Sequence, residues 1–218
     1  MSVAIEDYAK AIFALQAEVG GPVSTTAVAE RLGVTPASAS GMLRRLDEQG
    51  LVAHRPYHGV ELTAAGRRVA LRVLRHHRLL ETYLTRSLGM PWDRVHEEAE
   101  VLEHVLSDQL EALIDAQLGH PTHDPHGDPI PSAALELDER PCRCLASLEA
   151  GASGVLARVS DAEPEMLRYL AERGIAPGTR FEVLEHQPFD GPLFVRFDDH
   201  VHVLGGDLAR AISVELHA

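Results

Sequence analysis

The sequence predicts a mainly α protein with a small β component: an N-terminal winged helix-turn-helix, a helical middle and a C-terminal β-barrel. Three observations carry this prediction. Between Ser24 and Thr63, helix caps, a turn and two β-rich runs follow one another in the winged helix-turn-helix order. Long amphipathic stretches then fill the middle of the chain. From Cys142 onward the pattern changes to short strand-like runs separated by turns. The expected boundaries are 1–63 for the winged domain, 64–140 for the helical domain and 141–218 for the barrel.

Residues 2–19 read as a helix that Ser2 can cap, with Ile5, Tyr8, Ile12, Phe13 and Leu15 on its apolar side and Gly20-Gly21-Pro22 at its end. Ser24 or Thr25 starts a short helix through Leu32, closed by the turn Gly33-Val34. Thr35 and Pro36 supply an N-cap and a first-turn proline for a helix through Gln49, stopped by Gly50. The segment LVAHRPYHGVELT then sets two β-rich runs around Pro56-Tyr57-His58-Gly59. Thr63 caps a long helix to about Leu88, broken by Gly89 and Pro91. The next helix is expected to run unbroken from Trp92 or Asp93 to Leu118. Residues 119–131, with four prolines and two glycines, read as an ordered loop or linker, after which Ser132 is expected to cap a short helix. Strands are expected at 142–148, 154–160, 179–186, 192–197, 200–204 and 211–216, with a helix at 163–173 and a helical turn from Gly205.

The 218-residue chain has no apolar run of membrane-spanning length and no basic start followed by an apolar stretch, so a cytoplasmic location is expected, with no membrane partner. Cys142 and Cys144 fit neither a disulfide framework nor a zinc knuckle and read as reduced packing residues. A net charge of −13 looks wrong for binding nucleic acid, but its distribution resolves this. Residues 1–80 carry +3 and residues 81–218 carry −16, and eight arginines fall within 40–80. A local basic face suffices for DNA, while the acidic remainder raises local cation concentration.

The helix after Thr35 presents Ser38, Ser40, Gly41, Arg44 and Arg45 between the apolar anchors Met42, Leu43 and Leu46. Small residues in its first turns let it sit deep in a major groove, where hydroxyls touch base edges or phosphates. Ser24, Thr25, Thr35, Pro36, Ser38, Ser40, Arg44, Arg45, Arg55 and His58 are the expected DNA contacts. Arginine and histidine contacts to the backbone give affinity through counterion release and little sequence information. A charged solvent face on an ordinary α/β unit is the alternative, and it leaves the agreement of caps, turn, wing and charge unexplained.

His96, Glu100, Glu103 and His104 fall at i, i+4, i+7 and i+8, so one unbroken helix would carry them on a single stripe. His77 and Glu81 repeat the i, i+4 spacing on the preceding helix. Nitrogen and carboxylate donors without thiolate suit Mn(II) or Fe(II). Glu100 has Glu103 and His104 as helical neighbours, whereas His96 lies a turn back, where His77 and Glu81 could arrive from an antiparallel helix. Two sites are therefore expected. The plain alternative is a charged helix with incidental spacing, against which stand six candidate ligands on adjacent elements.

The runs HHRLLETYL, VHEEAEVLEHVLSD and PHGDPIP resemble the diphtheria toxin repressor and manganese transport regulator family. The resemblance covers essentially the whole chain and implies that the C-terminal barrel is SH3-like, of the kind shared with ferrous transport A proteins. It implies a primary regulatory site of Asp7, Glu100, Glu103 and His104. It also implies an ancillary site of His77, Glu81 and His96, completed by a carboxylate of the SH3-like domain, with Asp161 preferred to Glu163. Iron-responsive members place Met at the position of Asp7 and Cys at that of Glu100, so two carboxylates here resemble the manganese-responsive branch. Lys10 stands where bacillus-type members carry a second carboxylate for a paired binuclear centre, which argues against such a centre. Asp124 takes a place that is Cys in some relatives, which implies a further oxygen ligand at the primary site. His120, His123 and His126 either form a site of their own or belong to a solvated loop, and the loop is preferred.

The resulting expectation is a homodimeric, Mn(II)-activated regulator of metal-homeostasis genes that binds a palindromic double-stranded operator, with Fe(II) as the alternative metal. A dinuclear metallohydrolase needs an open coordination position, a substrate cleft and a base that is not a ligand, and would leave the winged helix unexplained. A metal-independent DNA-binding protein, with the acidic helix as a dimer seam only, is the third reading.

Overall fold

The computed structural model describes residues 2–55, 59–138, 140–189 and 191–217. Contacts divide the chain into two compact units, one of residues 1–77, 100–111 and 131–137, the other of residues 78–99, 112–130 and 138–218.

The first unit begins with α1 (Val3–Val19), α2 (Thr25–Arg31) and α3 (Pro36–Glu48), then β1 (Val52–Arg55) and β2 (Gly59–Leu62), then the start of α4 (Ala64–Leu88). Local chemistry sets these boundaries. Gly20 ends α1 with φ 69, a left-handed cap that glycine adopts without a Cβ penalty. The hydroxyls of Ser24 and Thr35 accept from the N–H groups of Ala27 and Ser38, satisfying donors that a helix start leaves orphaned. The strands pair antiparallel, Val52 opposite Leu62 and Arg55 opposite Gly59, while Val23 bridges to Val60. Ile5, Tyr8, Ile12 and Leu15 of α1 bury against Val28, Leu43, Leu46, Val52 and Val60. The start of α4 is pressed on this core: a β-carbon at Gly66 would lie 1.9 Å from the Leu51 carbonyl oxygen. Thr63 fixes the same junction by donating to the Gly50 carbonyl and accepting from Gly66 N–H.

The expected helix from Trp92 to Leu118 is two helices, α5 (Val95–Leu102) and α6 (Asp108–Gln117), so Glu103 and His104 lie in the turn between them. The Ser107 hydroxyl and carbonyl accept from Leu110 and Glu111 N–H, which starts a fresh helix. The Glu103 carbonyl accepts from the ring of His76 at 2.9 Å instead of continuing the helical ladder. The expected short helix at Ser132 is a turn: Ser132 and Glu136 bond to each other, and Leu135 takes φ 61, which α-helix excludes.

The second unit carries the rest of α4, the loop 119–130 and a six-stranded antiparallel sheet. Its strands are β3 (Arg143–Cys144), β4 (Ser153–Val159), β5 (Arg180–His186), β6 (Leu193–Phe197), β7 (His200–Leu204) and β8 (Ile212–Leu216), in the order β3-β8-β4-β5-β6-β7. Alternate residues of these strands, among them Leu156, Phe181, Val183, Val195 and Val214, bury against Leu167 and Leu170 of α7 (Pro164–Ala171). A short α8 (Gly206–Ala211) leads into β8. The first strand stops well short of the expected 142–148, because the Ser147 hydroxyl donates to the Cys144 carbonyl and turns Leu145 into the core. Both cysteines are free.

Candidate metal centres and nucleic-acid interface

In the first unit, α1 and the turn after α5 bring Asp7, Glu103 and His104 together, with one ligand atom of each within 4.8 Å of the others. His104 Nε2 lies 2.9 Å from Asp7 Oδ1 and 3.5 Å from Glu103 Oε1. Its other nitrogen, Nδ1, donates to Glu6 Oε2 at 2.7 Å, which fixes the ring and leaves Nε2 facing the carboxylates. A second-sphere carboxylate on the far nitrogen is how metal-binding imidazoles are commonly oriented. Sequence reasoning passed over Glu6, although it precedes Asp7. Burial pushes the Asp7 carboxyl up, helped by Glu103 and Glu100 against the opposing pull of His104 and Lys10. An excess of negative charge in a partly buried place is chemistry that a divalent cation relieves, so these residues fit one.

Glu103 is the pivot of the group, its side chain wholly buried. Lys10 Nζ lies 2.8 Å from both of its carboxylate oxygens, 2.6 Å from Glu100 Oε1 and 3.3 Å from His77 Nδ1. His77 Nδ1 is also 2.5 Å from Glu103 Oε2. Glu100 therefore meets the ammonium of Lys10 and adds its charge to the field at Asp7. Behind the group, His76 donates to the Glu103 carbonyl and pairs with Glu111, which Arg75 grips at 2.6 Å.

In the second unit, Glu81, His96 and Asp161 converge: His96 Nδ1 is 2.9 Å from Asp161 Oδ2 and 3.4 Å from Glu81 Oε1. Hydrogen bonding to Asp161, then to Glu81, raises the His96 pKa to about 10. Burial alone would raise Asp161, but the hydrogen bond and the charge of His96 together outweigh it and hold that carboxyl low. Glu163, the alternative ligand, sits at the N-cap position of α7.

Asp124 stands with Glu81 and His126, all three buried. The loop that carries Asp124 and His126 is thus not solvated as a whole. A β-carbon at Gly127 would lie 2.0 Å from the Ala157 carbonyl oxygen, so glycine lets the loop press against β4, where Val159 N–H donates to the His126 carbonyl. His126 Nε2 donates to the Trp92 carbonyl at 2.7 Å, while its Nδ1 is buried with no hydrogen-bond partner and 3.8 Å from Glu81 Oε2. A buried, unpartnered imidazole nitrogen facing two carboxylates fits a cation. Burial works against charge on this ring, but Glu81 and Asp124 outweigh it and raise its pKa to about 9. Burial and then Glu81 and Asp128 push Asp124 to about 8. Sequence reasoning had set His126 aside with His120 and His123; its signal was the His-Gly pair in a proline-rich loop. His120 is exposed and pairs with Asp115 instead.

The candidate nucleic-acid face is simpler. Ser24, Thr35, Pro36, Ser38, Ser40, Arg44, Arg45 and Arg55 are exposed, and Thr25 is half-buried; His58 lies outside the described residues. Buried Ala39, Leu43 and Leu46 hold the opposite face of α3 on the core. Asp47 accepts from the N–H of His54, and Gln16 of α1 accepts from that of Leu62, so both wing strands are fastened to helices of the same unit. From the end of α5 into α6, Val101 and Val105 expose 71% and 76% of their surface, and Leu110 exposes 48%. No helix of the described residues is long and apolar enough to cross a membrane.

Residues 1–60 match the family described as "Iron dependent repressor, N-terminal DNA binding domain", residues 63–132 its "metal binding and dimerisation domain", and residues 143–216 the "FeoA domain". The diphtheria toxin repressor of Corynebacterium efficiens is 30% identical over 220 residues, covering 96% of this chain and 94% of that protein. The iron-dependent repressor IdeR of Mycobacterium tuberculosis is 32% identical over 224 residues, covering 96% of both. Among solved structures, a manganese-dependent transcriptional repressor in complex with manganese is 47% identical with TM-score 0.90, covering 98% of this chain and 100% of that one. The manganese regulator SloR is 31% identical with TM-score 0.77, covering 98% of both chains.

Proposed function

Because the chain belongs to the diphtheria toxin repressor family of metal-dependent, DNA-binding transcriptional repressors, we propose that Mn(II) is the metal to which it responds. The supporting observation is the all-nitrogen-and-carboxylate character of both groups: Asp7, Glu103 and His104 in one, Glu81, His96, Asp161, Asp124 and His126 in the other. Hard oxygen donors suit Mn(II), and both groups lack the thiolate that selects softer ions. One manganese-dependent repressor shares 47% identity, against 31% for the manganese regulator SloR and 32% for the iron-dependent repressor IdeR. Fe(II) is the second reading, since that iron-dependent relative shares the family.

Asp7, Glu103 and His104 would hold the activating ion, with Glu100 beside them as a further carboxylate; His77 lies against Glu103. Glu81, His96 and Asp161, joined by Asp124 and His126, would hold an ancillary one. A bound divalent cation supplies the charge that lets these carboxylates approach. Closing Asp7 onto the turn after α5 fixes the position of α1. That helix is part of the core on which α3 rests, and its Gln16 grips the wing. The family forms dimers, and exposed Val101, Val105 and Leu110 would be the apolar seam. Fixing α1 in both protomers then sets the spacing of the two recognition helices for successive major grooves of a palindromic operator.

The test is a metal-by-metal titration of DNA binding at fixed salt, using wild type, Asp7→Met and Glu100→Cys. The reading requires Mn(II) to be the best activator of wild type and the swaps to move preference toward Fe(II). An unchanged preference refutes the selectivity argument.

A further inference from the structure

Glu103 has two neighbourhoods. Its Oε1 faces His104, which joins Asp7, and its Oε2 faces His77. The first is the three-donor group assigned above to a divalent ion. The second already surrounds a cation: Lys10 Nζ is ringed by three carboxylate oxygens at 2.6–2.8 Å and by an imidazole nitrogen at 3.3 Å. An ammonium has three hydrogens and is spherical enough in its charge to stand in such a shell. It comes from α1, one helical turn after Asp7, so the same helix delivers a ligand to one half of the centre and a positive charge to the other.

We propose that Lys10 is a tethered cation that permanently fills the second half of this centre, so that the group accepts one divalent ion and excludes a second beside it. Glu103 is then shared between an exchangeable ion on one side and a covalently attached one on the other. The fixed charge offsets the repulsion among Glu100, Glu103 and Asp7 before any ion arrives, and keeps α1 near the turn after α5 in the metal-free protein. It also lowers the attraction of the site for cations, since an arriving ion meets Lys10 as well as the carboxylates.

The inference rests on the reading of Asp7, Glu103 and His104 as ligands, and the experiment separates the two. Bound Mn(II) per chain is measured at saturation together with the electron paramagnetic resonance spectrum, for wild type, Lys10→Met, Lys10→Arg and Asp7→Ala. Wild type and Lys10→Arg should show isolated Mn(II) ions only. Lys10→Met should bind one more ion per chain and give the halved hyperfine spacing of an exchange-coupled pair. An unchanged count and spectrum in a folded Lys10→Met overturns the inference. So does a coupled pair in saturated wild type, which needs no variant to fold. Asp7→Ala should lose one ion per chain; a full count there refutes the ligand reading itself and leaves the Lys10 result to be judged alone.

Discussion

The Lys10 ammonium lies 2.8 Å from each carboxylate oxygen of Glu103, a side chain with no exposed surface. A buried carboxylate held this way is costly to remove, because Lys10 then loses its buried partner and is left with the more exposed Glu100. Glu103→Ala should therefore destabilise the metal-free protein by about 3 kcal/mol, measured by urea denaturation, and should remove the metal response as well. A variant of wild-type stability would mean that the pair is not formed in solution.

The His96–Asp161 contact offers a cleaner energy, at 2.9 Å and without a buried residue to be lost. A double-mutant cycle with His96→Ala and Asp161→Ala should give a coupling of about 1 kcal/mol in metal-free protein. The value sits low because the His96 side chain is 42% exposed, so solvent screens part of the interaction. A coupling indistinguishable from zero would remove Asp161 from the group.

Much of this was legible in the sequence. The caps at Ser24 and Thr35 and the glycine end of α1 gave the winged helix its boundaries, because those are local hydrogen-bond and dihedral effects. The break after Leu102 was not read, although Ser107-Asp108 is an N-cap signal; the strong i, i+4 pattern across 96–104 masked it. His104 reaches Asp7 from a turn and not from a helical stripe, so the i, i+4, i+7, i+8 spacing does not describe the local geometry of Glu103 and His104. Asp124 and His126 depend on the loop pressing against β4 at Gly127, a tertiary contact that spacing does not encode. The role of Lys10 required seeing which carboxylates its ammonium reaches, information held 90 residues further along the chain.

On the proposed DNA face, Arg44 and Arg45 are exposed on α3, with Arg44 only loosely paired to Glu48 at 3.7 Å. Arg45→Ala should weaken binding to all sequences alike and flatten the slope of log affinity against log salt by about 1. Ser38→Ala should alter preference among operators and leave the slope unchanged. A sequence-dependent loss from Arg45→Ala would move that residue from the phosphates to the bases.

Val105 exposes 76% of its surface and Val101 71%. Val105→Glu should shift the protein toward monomer in sedimentation equilibrium, since a charge in an apolar seam must be desolvated. Mn(II) binding at Asp7, Glu103 and His104 should survive, all three ligands coming from one chain. A dimer unaffected by the charge would place the seam elsewhere.

The most direct test is operator affinity at fixed salt with and without Mn(II), in wild type and Asp7→Ala. Closing Asp7 onto His104 predicts that Mn(II) tightens wild-type binding at least about 10-fold, within the usual range of coupling between two sites, and leaves Asp7→Ala at the metal-free affinity. Equal affinity with and without Mn(II) in wild type, or a full response in Asp7→Ala, would contradict it.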